Sequence, residues 1–295
     1  MDKTGINKIH NKDCQKFLQN QKYFPDDSVD LIFTSPPYSD KRKDSYGGIH
    51  PNKYVKWFLP ISEQLHRVLK PKGSFIMNIK EGARSGQRET YVLELILEMK
   101  KQGWLWIEEY CWYKKTSFPG KWHNRFRDSF ERCLHFTKQK RFNMYQDSVK
   151  VPIGDWAKKR FKSMTKNDFI RYTSKTNNHL GRNVSNWLKR KRVFPHNVIV
   201  FEEEHYDKQP SNVIDEIANY AQNGIHSATF PIELPTWFIK LFTQKNNLVL
   251  DPFSGVGTTC QAALLLERKY IGIEILSKFV NEANKNLEEV NKLKK

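Results

Sequence analysis

Short apolar runs alternate with stretches of helical apolar spacing along the first half of the chain. The β-rich run 28–34 stops at Ser35-Pro36-Pro37, because proline continues neither a helix nor a central strand. Helical spacing then covers 54–69, and Lys70-Pro-Lys-Gly73 predicts the end of that helix. Further runs predict strands at 74–79, 104–113 and 132–137 and a helix at 92–101. This alternation predicts an α/β fold with a doubly wound, mostly parallel sheet.

The same alternation returns after residue 211. It predicts helices at 235–242, 257–267 and 276–292 and strands at 247–251 and 270–274. Residues 140–196 have poor periodicity, 15 Lys or Arg against three acids, and interleaved aromatic residues. We therefore predict three parts: a first core half (1–139), an inserted module that faces nucleic acid (140–210) and a second core half (211–295). The alternative for the insert is a solvated basic segment.

Composition supports a polyanionic partner. The chain has 50 Lys and Arg against 32 Asp and Glu, a formal net charge of +18, and phosphate contacts dominate nucleic-acid affinity. The four cysteines form no CxxC pair, which argues against structural zinc and a disulfide framework, so we expect no metal site. No signal peptide or membrane span is visible, so we expect a cytoplasmic protein.

A nucleoside-binding unit stands near the C-terminal end of the chain. The apolar run 248–250 leads into Asp251-Pro-Phe253-Ser-Gly255-Val-Gly257-Thr258, and Glu274 closes the following strand. Glycines let the backbone approach a ligand closely, and an acid at the second strand end accepts hydrogen bonds from ribose hydroxyls. The position three residues after Gly257 is Cys260 rather than glycine, which disfavours a dinucleotide and hence an NAD-dependent oxidoreductase.

Thr34-Ser35-Pro36-Pro37-Tyr38 follows an apolar strand and has the chemistry of an amine-activating loop. The lone pair of a base amine is delocalised into the ring, so acceptors on its two N–H bonds are needed to aim it. The Ser35 hydroxyl and the Pro36 carbonyl can accept these bonds, while Pro37 stiffens the loop. Tyr38 offers a ring for stacking an extruded base. Methylation at cytosine C5 would instead need a thiolate that adds to the ring, typically from a Pro-Cys loop. None of the four cysteines follows a proline, so the sequence argues against that reaction.

Together these motifs resemble the β-class amino DNA methyltransferases over nearly the whole chain. The resemblance implies a Rossmann-like methyltransferase fold with circularly permuted motif order: catalytic loop first, target-recognition insert next, cofactor strand last. It implies S-adenosylmethionine as cofactor and double-stranded DNA as substrate. It also implies a restriction-modification setting with a cognate restriction endonuclease as partner, no membrane, and a monomer or homodimer.

The resemblance also assigns residues to the cofactor. Asp251 would lie near its methionine part, Phe253 would pack beside it, and Glu274 would hold its ribose. Asp13 would approach the adenine, and Trp57 would pack on the same ring; their alternatives are a solvated acid and a core aromatic residue. The remaining cofactor residues implied are Thr34, Phe230, Gly255, Gly257 and Thr258.

Basic clusters are the candidates for DNA contact. Lys189, Arg190, Lys191 and Arg192 are interpreted as a phosphate clamp, with a solvated charge run as the alternative. Lys41, Arg42 and Lys43 follow the catalytic loop and are expected near the target strand. The basic stretch 120–127 is a candidate DNA-side loop, and Trp112 a wall of the base pocket or a core residue.

Ser35 bears on the product. In the family that the chain resembles, Ser-Pro-Pro-Tyr usually accompanies cytosine N4 methylation and Asp-Pro-Pro-Tyr adenine N6 methylation. We therefore expect a cytosine-N4 enzyme, with adenine N6 as the near alternative. An alternative from another class is a non-catalytic DNA-binding module with a degenerate pocket, against which the intact Gly255, Gly257 and Glu274 argue.

Overall fold

The computed structural model describes residues 5–39, 48–114, 124–165, 168, 170–171, 182–183, 189–201 and 230–293. Its helices in chain order are α1 (Cys14–Phe17), α2 (Pro51–Val68), α3 (Tyr91–Lys101), α4 (Asp155–Lys162), α5 (Glu233–Phe242), α6 (Thr258–Leu265) and α7 (Ser277–Leu293). Among these residues, no helix is long and apolar enough to cross a membrane.

Most strands belong to one eight-stranded sheet. The strands in chain order are β1 (Lys8–Asn11), β2 (Val29–Thr34), β3 (Leu69–Ile79), β4 (Ala83–Arg84), β5 (Gln87–Arg88), β6 (Leu105–Tyr113), β7 (Phe130–Thr137), β8 (Val151–Pro152), β9 (Ile170–Arg171), β10 (Arg182–Asn183), β11 (Arg192–Val193), β12 (Val198–Val200), β13 (Leu248–Asp251) and β14 (Lys269–Glu274). The sheet has the order β1-β14-β13-β2-β3-β7-β6-β12. Within it β7 pairs antiparallel with β3 and β6, and the other pairs are parallel. The predicted doubly wound, mostly parallel α/β sheet is confirmed.

The predicted end of the helix before Lys70–Gly73 is confirmed, since α2 ends at Val68. The following strand begins earlier than predicted, because β3 starts at Leu69 rather than at Ser74. The register with β2 passes from Val29↔Leu69 to Leu31↔Ser74, so Lys70–Gly73 bulges out of the ladder. A bulge tolerates a proline that a regular ladder would exclude.

The core lies where apolar strands meet amphipathic helices. All six residues of β2 are buried, as expected for a central parallel strand covered on both faces. Helix α2 places Tyr54, Phe58, Ile61 and Leu65 on its buried side, at helical spacing. This packing holds the end of β2 and the residues that follow it in a fixed position.

Residues Gln146–His196 form a second compact unit by themselves, whereas Met1–Tyr145 and Asn197–Lys295 form the first. The second unit contains α4 and two short antiparallel pairs, β8 with β11 and β9 with β10. Val198–Val200, which the sequence analysis assigned to the insert, instead pairs with β6 as strand β12. Three consecutive β-branched residues favour this extended edge position, and Ile199 is buried there.

Candidate active site

A cavity of about 480 Å³ opens at the carboxyl edge of the sheet, beside the ends of β13 and β2. The chain passes from β13 to β14 on one side of this point and from β2 to β3 on the other, which makes it a topological switch point. Ligands of open α/β sheets bind in such crevices, and the volume suits one small molecule with a base beside it. Among the predicted site residues, those that line the cavity are Asp13, Ser35, Pro36, Pro37, Tyr38, Trp57, Phe230, Phe253, Gly255, Thr258 and Glu274.

The turn between β13 and α6 brings backbone to the cavity. Gly255 and Gly257 both have positive φ, +52° and +84°. A Cβ on Gly257 would stand 3.0 Å from Ala283 Cβ and from Ile9 Cδ1, so this glycine lets the turn pack against α7 and β1. Gly255 has open space where a Cβ would be and lines the cavity, so a ligand can approach its backbone.

Glu274 at the end of β14 is buried and faces the same turn. Its Oε2 accepts from the Gly255 amide at 3.0 Å, and its Oε1 accepts from the Leu276 amide at 2.8 Å. Burial raises the pKa of this carboxyl. A carboxylate has about four acceptor positions, so lone pairs remain for ligand hydroxyls.

Aromatic side chains form the walls. The Trp57 ring centroid lies 5.8 Å from that of Phe253, and Phe230 lies 5.4 Å from Phe33. Asp13 lines the cavity and also caps α1 by accepting from the Lys16 amide at 3.0 Å. These walls fit a flat heteroaromatic ring that packs against Trp57 and Phe253, with a ribose at the Glu274 carboxylate.

Asp251 and Thr34 lie behind the cavity wall. Asp251 Oδ1 accepts from Thr34 Oγ1 at 2.6 Å and from the Phe253 amide at 3.1 Å, and its Oδ2 accepts from Thr259 Oγ1 at 2.6 Å. Neither Asp251 nor Thr34 lines the cavity, although both were expected beside the cofactor. The buried carboxylate instead joins the ends of β2 and β13, and burial raises its pKa to about 6.

This raised pKa predicts a pH dependence of stability. Between about pH 4, where an unfolded aspartate titrates, and about pH 6, the folded Asp251 binds more protons than the unfolded one. Stability from this group therefore falls as pH rises through that window, by up to about 1.4 kcal/mol per pH unit, and is flat above it. We expect Asp251→Asn to lose this slope, measured as the free energy of unfolding in urea at pH 4.5, 5.5 and 7. An unchanged slope in the variant would contradict the assignment.

Two hydrogen bonds fix the loop after β2, one from helix α2 and one within the loop. Tyr54 donates its hydroxyl to the Pro37 carbonyl at 2.8 Å, which fixes the second proline. Ser35 Oγ donates to the Tyr38 hydroxyl at 3.4 Å. Within the described residues nothing donates to the Pro36 carbonyl. The loop therefore offers one serine oxygen and one carbonyl at the cavity wall.

Asn78, Lys114 and Glu131 also line the cavity, and the sequence analysis missed all three. Tyr38 donates to Glu131 Oε2 at 2.7 Å and has Asn78 Oδ1 at 3.2 Å, while Lys114 Nζ pairs with Glu131 Oε1. Burial and the Glu131 carboxylate raise the Tyr38 pKa well above its usual value. Glu131 comes directly before the predicted strand 132–137 and is followed by Arg132, so no local pattern distinguished it. Trp112, predicted as a base-pocket wall or a core residue, lines the cavity and is nearly buried.

Four of the seven basic residues predicted to contact DNA lie in the described part of the chain. Lys189, Arg190, Lys191 and Arg192 are all exposed in the second unit, where Arg192 donates to the Lys150 carbonyl. Lys41, Arg42 and Lys43 lie outside the described residues, as do 120–123 of the stretch 120–127.

The chain matches a family and several relatives of known type. The family model described as DNA methylase, for N6 and N4 enzymes, matches residues 29–285. The type II methyltransferase M.PvuII of Proteus hauseri is 29% identical over 277 residues, which cover 89% of this chain and 79% of that protein. Because the DNA methylase model matches residues 29–285, which are most of the chain, it establishes the family of this protein.

Solved structures share the fold. That of PvuII DNA methyltransferase (cytosine-N4-specific) matches with a TM-score of 0.66 and 22% identity, over 96% of this chain and 89% of that one. A putative DNA modification methylase from Thermus thermophilus, complexed with S-adenosyl-L-methionine, matches with a TM-score of 0.58 and 20% identity, over 96% and 93%. The fold is thus the permuted Rossmann-like methyltransferase fold that the sequence predicted. The chain therefore belongs to the N6/N4 DNA methylase family, whose members transfer a methyl group from S-adenosylmethionine to an amino group of a DNA base.

Proposed function

We propose that this enzyme methylates the exocyclic N4 of cytosine in duplex DNA, at a specific sequence and within a restriction-modification system. The observation that carries the proposal is Ser35, a serine rather than an aspartate, which lines the cavity together with Tyr38 and Gly255. The similarity to M.PvuII, and to a structure titled cytosine-N4-specific, supports the same product.

The cofactor end of the cavity is formed by the residues around Gly255 and Glu274. When bound, S-adenosylmethionine supplies a methyl group on a positively charged sulfur, which leaves with the electron pair of the carbon–sulfur bond. Glu274 would accept from the ribose hydroxyls, and Gly255 and Thr258 would lie along the extended part of the ligand. Trp57 and Phe253 would pack against its adenine, with Asp13 beside the same ring. Asp251 and Thr34 would act indirectly, by fixing the loops that carry these groups.

The catalytic loop would act on the target amine. A base inside a duplex cannot reach the cavity, so the cytosine must be extruded from the stack. The Tyr38 ring would support the extruded base, Ser35 Oγ would accept from one N–H, and the Pro36 carbonyl from the other. These two acceptors orient the nitrogen lone pair toward the methyl group, which is a positioning effect. Transfer would be direct: the nitrogen would bond to the methyl carbon as the carbon–sulfur bond breaks, and one of its two protons would then be released to solvent. No covalent enzyme intermediate is needed.

The part of the insert that forms the second unit, Gln146–His196, would provide target recognition. The exposed Lys189, Arg190, Lys191 and Arg192 would bind phosphates, which position a protein on DNA without specifying sequence. Lys41, Arg42 and Lys43 would lie near the target strand. We further propose a cytoplasmic, nucleoid-associated enzyme that works as a monomer or homodimer beside a cognate restriction endonuclease.

The product tests the proposal without knowledge of the recognition sequence. Bacterial genomic DNA amplified in vitro carries no modification, so any methylated nucleoside in a digest comes from the added enzyme. We expect N4-methyldeoxycytidine by mass spectrometry after incubation with enzyme and S-adenosylmethionine. N6-methyldeoxyadenosine as the sole product would contradict the cytosine assignment.

A further inference from the structure

Three hydrogen-bonding groups meet at the hydroxyl of Tyr38. Glu131 Oε2 lies 2.7 Å away, Asn78 Oδ1 3.2 Å, and Ser35 Oγ 3.4 Å. A phenol has one proton to donate, and two of these groups are acceptors. The Glu131 carboxylate is both closer and charged, so it takes the phenol proton, since charge-assisted bonds are shorter and stronger.

The donation to Glu131 determines what Ser35 can do. With its proton directed at Glu131, the Tyr38 oxygen presents only lone pairs to Ser35, which then donates its own proton to Tyr38. Asn78 does not donate to the Tyr38 oxygen in place of Ser35. Its Nδ2 donates to the Arg132 carbonyl at 3.3 Å, and the atom that faces Tyr38 is its oxygen. The Ser35 proton therefore points along the loop, toward Tyr38.

Lys114 is the charged partner of Glu131. Its ammonium pairs with Glu131 Oε1 and lies 4.5 Å from the centroid of the Trp112 ring. Glu131 is 8% exposed, and a buried charge needs a partner. Lys114 is that partner at Oε1, which leaves Oε2 to accept from Tyr38.

We propose that Glu131 is a positioning residue: acting through Tyr38, it directs the Ser35 proton away from the cavity, so that Ser35 presents only oxygen lone pairs to the target amine. The inference rests on the proposed function, in which Ser35 accepts from that amine. A hydroxyl can donate as well as accept, and donation to the amine would engage the lone pair that must attack. An aspartate at this position would be an acceptor by itself, whereas a serine needs the chain Ser35–Tyr38–Glu131.

Two conservative variants and their combination test the hydrogen-bond chain Ser35–Tyr38–Glu131. Glu131→Gln keeps the shape but removes the charge, and Tyr38→Phe keeps the ring but removes the hydroxyl. We expect each to lower the single-turnover rate of methyl transfer at saturating cofactor by about tenfold, the effect of losing one hydrogen bond in the transition state. Because both act through the same hydroxyl, the double variant should be no slower than Tyr38→Phe alone. Cofactor affinity by calorimetry and the melting temperature should stay near those of the wild type.

Glu109→Gln is the matched control. Glu109 lies on β6, pairs with Arg132 at 3.2 Å and does not line the cavity, so its rate should be unchanged. A wild-type rate for Glu131→Gln, or a double variant slowed by the product of the two single factors, would overturn the role of Glu131. A wild type that methylates adenine would overturn the proposed base instead. The rates of the same variants would still show whether Glu131 acts through Tyr38. Absence of any methyl transfer by the wild type would overturn both.

Discussion

Ser35→Ala is expected to lower turnover on the order of a hundredfold, while the dissociation constant of S-adenosylmethionine stays within about twofold of the wild type. Ser35 lines the cavity and donates to Tyr38, and within the described residues its hydroxyl makes no hydrogen bond to the cofactor turn. Alanine removes one of the two acceptors that orient the amine. The methyl-transfer rate on amplified genomic DNA and cofactor titration calorimetry measure the two quantities separately.

A control serine lies just before the same strand. Ser28 donates its hydroxyl to the Pro25 carbonyl at 2.7 Å and lies away from the cavity. Ser28→Ala should therefore retain the wild-type rate. Loss of cofactor binding in Ser35→Ala would contradict the assigned role, because it would place the hydroxyl at the cofactor rather than at the base.

Glu274→Gln is expected to show the opposite pattern. The amide that replaces Oε1 or Oε2 would face the backbone N–H of Leu276 or Gly255, and the charged acceptor for ribose hydroxyls would be lost. Hydrogen bonds to charged groups contribute roughly 1.5–3 kcal/mol, so cofactor affinity should fall roughly tenfold to a hundredfold. Calorimetry measures this directly, and much of the lost rate should return at high cofactor concentration.

Glu98→Gln serves as the control for Glu274. Glu98 lies on α3 and pairs with Lys101 at 2.6 Å, on a face away from the cavity. Its replacement should leave cofactor affinity unchanged. Equal affinities of Glu274→Gln and the wild type would mean that Glu274 serves only to shape the Gly255 turn.

Local chemistry explains which parts of the site could be predicted from the sequence. Ser35–Tyr38 and the Gly255–Gly257 turn each follow an apolar strand directly, so the strand pattern alone puts them at the same edge of a parallel sheet. Glu274 was predicted for the same reason. The permuted motif order followed from the resemblance and agrees with the pairing of β2 with β13.

The missed residues depend on register, which a single sequence does not encode locally. Glu131 lies opposite Trp112 only because β7 runs antiparallel to β6, and Asn78 lies opposite Cys133 through the pairing of β3 with β7. The hydrogen bond from Thr34 to Asp251 joins residues 217 positions apart. The bulge at Lys70–Gly73 likewise arises from pairing with β2 rather than from the residues themselves.

The pairing of β1 with β14, and of β2 with β13, has a consequence for biosynthesis. Until β13 has left the ribosome, one edge of β2 is unpaired. Strand β1 is likewise unpaired until β14, its partner, has been made. Such distant pairings form slowly, and unpaired strand edges attract other chains in the meantime. The basic insert, by contrast, leaves the ribosome before the cofactor cavity can exist. Methylating ability can therefore arise only after β14 has been translated.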